Sequence, residues 1–284
     1  MRRAYLPVVI LCLPFIAAVS AYPAATAPLT ILKPAASDME DATVPPSFTF
    51  VPGQVVFLSF EIGGYKASDD QRVHLSYKID VLDPKGVRLL DTITAGVDTT
   101  VSEEDKNWKP KVRVQFPIPP LAGSGTYKVA IQVHDDLTKA DASQNIEFPV
   151  RGHDVAPSET LVVRNFHFYR SEDDPAPLAV AAYRPGDTLW ARFDITGYKL
   201  GSGNSIDLDY GIAVLAPGGK VLYTQPQPAV EKTASFYPQA YTPGSMNLSL
   251  EKGIKPALYT IVLTVRDHTG NQTYETKETF SIEQ

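Results

Sequence analysis

A chain of 284 residues with ordinary apolar and charged fractions is long enough for about two cores at ~100–200 residues per domain, which excludes wholesale disorder. Its formal charge of −6 excludes the broad basic face that nucleic-acid binding requires. Its 24 prolines argue against a helical fold and for strands joined by loops.

Residues 1–21 read as a signal peptide. Arg2 and Arg3 give a positive start, Leu6 to Val19 an apolar stretch, and Val19-Ser20-Ala21 a small-residue cleavage pattern. The apolar stretch is shorter than the ~20 residues that span a bilayer, so export without a stable membrane span is expected over an uncleaved anchor. Cys12 lies inside this segment, and the mature chain from Tyr22 then has no cysteine. That excludes a disulfide framework, a thiolate metal site and a cysteine nucleophile.

Leu29 to Leu32 is a short apolar run, read as a first strand, and Pro34 to Ser47 is read as a loop. Period-two alternation then begins, with Val56, Leu58, Phe60 and Ile62 on one face and Phe57, Ser59 and Glu61 on the other. Leu75, Tyr77, Ile79 and Val81 form the next inward set, followed by an Asp83-Pro84-Lys85-Gly86 turn. Val87 to Leu90 is expected as a strand and Gly96 to Lys111 as a polar loop. Val112 to Ile118, Tyr127 to Val133, and Ile146 to Val150 complete the first set, with a turn expected over Asp135 to Ser143. Residues 152–158 hold Gly152 and Pro157 without periodicity and read as a linker.

The chain then repeats itself. Pro52, Phe60 and Tyr65 recur as Pro185, Phe193 and Tyr198, each 133 residues on. Inward sets recur at Leu189–Ile195, Leu208–Val214, Met246–Leu250, Tyr259–Val265 and Phe280–Ile282, with Ala216-Pro217-Gly218-Gly219 as the matching turn. About seven strands per repeat give the expected fold class: all-β, two tandem immunoglobulin-like antiparallel β-sandwiches related by an internal repeat, at 22–151 and 159–284. Tyr127 and Tyr259 fit the tyrosine corner of such sandwiches; simple strand packing is the alternative.

The Pro-Gly turn before an alternating strand, Asp83-Pro84-x-Gly86, and Gly125-Thr126-Tyr127-Lys128-Val129 together resemble macroglobulin-type, fibronectin III-like and other bacterial envelope immunoglobulin-like domains. The resemblance implies a secreted or periplasmic adhesion, binding or spacer module. True macroglobulins carry many more domains and often a cysteine-built thioester. Neither is present here, so protease trapping does not carry over.

Residues that carry chemistry are sparse. The histidines are His74, His134, His153, His167 and His268, and no two have metal-ligand spacing. Acidic groups at Asp38/Glu40/Asp41, Glu103/Glu104/Asp105, Asp135/Asp136 and Glu172/Asp173/Asp174 offer oxygens for calcium but match no calcium loop, and a solvated surface is the alternative. Asp135 recurs as Asp267, which points to a shared structural bond. No catalytic, metal or cofactor residues are assigned. The candidates for partner binding are Phe57 and Trp190, equivalent aromatics on the outward register, together with Tyr169. Either they anchor a protein or glycan partner, or the loops at Pro34–Ser47 and Tyr169–Pro177 fold over them. The reading is a non-enzymatic binding, adhesion or spacer protein. A carbohydrate-active protein with a loop-borne site and a purely structural envelope component are the alternatives.

Overall fold

The computed structural model describes residues 27–45, 47–105 and 107–284. The segment read as a signal peptide, with Cys12, lies outside them. Among the described residues no helix is long and apolar enough to cross a membrane.

The first half contains β1 (Thr30–Ser37), β2 (Val55–Gly63), β3 (Arg72–Leu82), β4 (Ile93–Thr100), β5 (Lys111–Pro117), β6 (Gly125–Asp135) and β7 (Ala140–Val150). They form an antiparallel three-stranded sheet in the order β1-β2-β5 and a four-stranded one in the order β4-β3-β6-β7. The second half contains β8 (Val162–Tyr169), β9 (Ala182–Tyr183), β10 (Thr188–Thr196), β11 (Ser205–Leu215), β12 (Val221–Thr224), β13 (Ala229–Ala234), β14 (Tyr241–Ser249), β15 (Ala257–Asp267) and β16 (Gln272–Ile282). Its sheets run β14-β10-β8 and β12-β11-β15-β16-β9, with β13 also on β11. β9 joins β16 in parallel.

Alternation in the sequence becomes burial in the structure. Val56, Leu58, Phe60 and Ile62 of β2 face Ile79, Val81, Val129 and Ile131 across one core. Leu189, Ala191, Phe193 and Ile195 of β10 face Leu208, Ile261, Leu263 and Val265 across another. Each core lies between one three-stranded sheet and its larger partner, so each half is a sandwich-like pair of layers. Residues 151–158 carry no strand.

Several local expectations are corrected. β1 runs to Ser37, through a bulge between Leu32 and Ala35, so Pro34–Ser37 is strand and not loop. Val87–Leu90 is not a strand; only Arg88 bridges to Leu82. The stretch read as polar loop from Gly96 contains most of β4, paired along β3. β7 already begins at Ala140, inside the stretch read as turn. β4 escapes detection because none of its residues is buried, so it shows no inward stripe.

Candidate functional site

The repeated Gly-Tyr-Lys after β2 and β10 builds the same structure twice, here called the upper end of each half. Gly64 and Gly197 have φ of +72° and +76°, and a Cβ there would strike the carbonyl oxygens of Pro28 and Thr160. Only glycine meets both demands. The next residue reaches a loop carbonyl: the Tyr65 hydroxyl donates to Trp108 O at 2.5 Å, the Tyr198 hydroxyl to Gln239 O at 3.0 Å. The lysine that follows uses its backbone. Lys66 N–H donates to Asp135 Oδ2 at 3.0 Å, and Lys199 N–H to Asp267 Oδ2 at 2.9 Å.

Both carboxylates also accept N–H groups of the turn that follows them: Leu137 and Thr138 onto Asp135, Gly270 onto Asp267. Burial alone raises the Asp135 carboxyl; the backbone donors from Lys66, Leu137 and Thr138 outweigh it and hold the carboxyl below its ordinary value. At the opposite, lower ends, Tyr127 and Tyr259 donate to the carbonyls of Gly123 and Lys255, each four residues back. That is the bond the tyrosine-corner reading requires.

The outer faces of the three-stranded sheets hold the three aromatic candidates for partner binding. Trp190 is half-buried, paired in register with Tyr169 on β8 and Asn247 on β14. Tyr169 is buried, with the Arg192 guanidinium 4.1 Å from its ring centroid. Arg192 also donates to the carbonyls of Glu172 and Asp174, which draws the 170–177 loop onto this face. The Arg192 guanidinium thus covers the Tyr169 ring.

Phe57 is half-buried in a notch of about 300 Å³ that also holds Glu40, Asp41 and Arg113. Asp41 accepts from Arg113 and Lys111, which fastens the 38–45 segment over the face. The Arg113 and Lys111 side chains hold its carboxyl at about 2. This notch is where two carboxylates lie beside an aromatic ring. Both carboxylates lie against the Arg113 guanidinium, Asp41 at 2.8 Å and Glu40 at 3.5 Å.

The histidines are dispersed. His74 and His134 stand on neighbouring strands, but His74 meets Asp98 at 3.4 Å and His134 meets Asp141 at 2.8 Å. His268 and Arg266 share Asp209, and His153 meets Asp194 at 2.7 Å. Among the described residues no group of three His, Cys, Asp or Glu is placed to hold a metal ion.

Three features had no sequence signal. A cleft of about 700 Å³ at the first half's upper end is lined by Tyr65, Asn107 and Trp108. A groove of about 680 Å³ at the second half's lower end is lined by Val214, Leu222, Leu248 and Tyr259. Between the halves, the Tyr237 hydroxyl donates to Asp83 Oδ2 at 2.9 Å, with its ring against the first core.

No protein-family model matches the chain, and no curated protein matches it. Among solved structures, the C-terminal domain of the AgI/II polypeptide BspA from Streptococcus agalactiae is similar at 9% identity. The likeness covers 90% of this chain and 100% of that one at a TM-score of 0.32, a level that carries no functional argument.

Proposed function

We propose that this is an exported, non-enzymatic protein of two tandem immunoglobulin-like sandwiches, at 22–151 and 159–284, acting as a spacer that holds binding surfaces apart. The observation that carries the reading is the junction. The chain leaves the first half at its lower end and enters the second at its upper end. There Tyr237 bonds Asp83, and His153 Nε2 meets Asp194 Oδ2, so two contacts brace a linker without strands. Seven strands divided three and four support the immunoglobulin-like assignment of the first half. The buried carboxylates Asp83, Asp135 and Asp267 each accept backbone N–H groups, which makes them parts of the fold.

Fragments 22–151 and 159–284 are each expected to unfold cooperatively with a β-type circular dichroism spectrum. Small-angle scattering of the mature chain should show two lobes at one fixed spacing, and Tyr237→Ala should broaden that spacing. Fragments that do not fold, or two lobes with no preferred separation, would overturn the reading.

A further inference from the structure

The contact between the halves uses an upper end on one side and a lower end on the other, and the repeat places a further copy of each at the two free ends. Tyr237 stands on the loop between β13 and β14. Its hydroxyl lies beside Tyr127 and bonds Asp83. The counterpart of that loop in the first half joins β4 to β5 and presents Trp108. The same tyrosine bond pins both loops, from Tyr65 to Trp108 O and from Tyr198 to Gln239 O. Trp108 is 41% exposed.

The receiving surface also has its counterpart. Tyr259 repeats Tyr127, Ala216 repeats Asp83, and Leu222 repeats Leu89. Leu89 is 5% exposed and belongs to the first core, whereas Leu222 is 51% exposed at the mouth of the lower groove. One end of the chain thus offers an aromatic loop without a socket, and the other a socket without a loop.

We infer that the chain associates head to tail with a second copy of itself, the Trp108 loop of one copy entering the Leu222 groove of the next. The occupant is argued by continuity with the interface that the chain already makes within itself. The chemistry of the two sides changes together. Within the chain a phenol meets a carboxylate. Between copies an indole, with one N–H on a large apolar ring, meets a surface where Ala216 replaces that carboxylate. Head and tail are different surfaces, so the contact is heterologous and grows into open chains unless a rotation closes a ring. One loop in one groove is a small interface, and the association depends on concentration.

This inference rests on the tandem reading above. Failure of that reading shows in the fragments, while failure of this one alone shows only in the mass of the intact chain. The experiment is sedimentation equilibrium of the mature chain over a concentration series. The weight-average mass is expected to climb past that of a dimer. Trp108→Ala removes the head and Leu222→Glu blocks the tail; each variant alone should stay monomeric. Mixed, they should form a dimer and stop there, because one intact head meets one intact tail. Thermal unfolding matched to the parent confirms that both variants fold, and the parent's own mass decides the question if one does not. A parent that stays monomeric into the millimolar range, variants that still assemble, or a mixture that remains monomeric would each overturn the proposal.

Discussion

The two outer faces show how a repeat can keep a structure while exchanging the residues that make it. In the first half Ser59 on β2 is the register partner of Arg113 on β5. In the second half the matching pair is Arg192 on β10 and Ser245 on β14. The guanidinium has crossed to the neighbouring strand, and serine has taken its place. In both halves it still ties down the loop that follows the first strand, through Asp41 in one case and through the carbonyls of Glu172 and Asp174 in the other. Either strand of the pair delivers the same head group to the same face.

The bulges tell a similar story. Lys33 and Asn165 both sit at positive φ in the first strand of their half. Lys33 bonds Glu61 and Asn165 bonds Asp194, an equivalent carboxylate on the adjacent strand. An exposed ion pair in one half is replaced in the other by a 2.8 Å hydrogen bond from an amide, beside His153.

The strongest test of equivalence lies in the cores. Phe60→Ala and Phe193→Ala should each cost ~3–5 kcal/mol in their own half, the usual range for emptying a packed phenylalanine site. Denaturant titration of each variant measures this. A loss below ~1 kcal/mol in either half would mean that the two cores are not alternatives of one design.

A smaller effect is expected at the repeated carboxylates. Asp135→Asn and Asp267→Asn leave buried N–H donors poorly matched and should each cost ~1–3 kcal/mol. Asp135 adds a pH dependence of known sign. Its carboxyl is lower in the folded state than in the unfolded one, so its stabilisation is complete above the unfolded value of ~4. It is lost as pH falls through the folded value. Urea midpoints between pH 6 and 2 should decline less steeply for Asp135→Asn than for the parent. An unchanged slope would remove Asp135 from the acid response.

The smallest effect concerns the exchanged pair. Arg113→Ser should leave the urea midpoint of the first half nearly unchanged, because an exposed ion pair adds little to stability, while making the 38–45 segment easier to cleave by protease. Adding Ser59→Arg should restore resistance, because the second half already uses that arrangement. If the double variant cleaves as fast as the single one, the crossed guanidinium is coincidence.

Which parts of this were readable from sequence follows from burial. β2, β10, β6 and β15 announced themselves because every second residue is buried. Trp190 and Phe57 were placed on the outward face for the same reason. β4, β12 and β13 gave no stripe, since none of their residues is buried; their place comes from pairing with β3 or β11. The bonds of Asp135 and Asp267 were legible because repetition marked them. Leu89 and Leu222 look alike in sequence, and what separates them is whether the segment folds into the core or lies along β11 as β12. The contact of Tyr237 with Asp83 spans 154 residues and leaves no local trace.

The link from Lys66 to Asp135 has a consequence in time. It closes a span of 69 residues and joins the segment just after β2 of one sheet to β6 of the other, and its counterpart closes 68. The bonds of Tyr127 and Tyr259, at the corners of the opposite ends, close spans of four. Loop-closure entropy grows with span, so the corners can form while the chain is still open, and the long links wait until both sheets exist. An interaction made late is absent from the transition state. Weakening it hastens unfolding and leaves the folding rate nearly unchanged. Weakening the upper ends is therefore expected to shorten the time each half stays folded, in a chain whose single cysteine can form no internal disulfide.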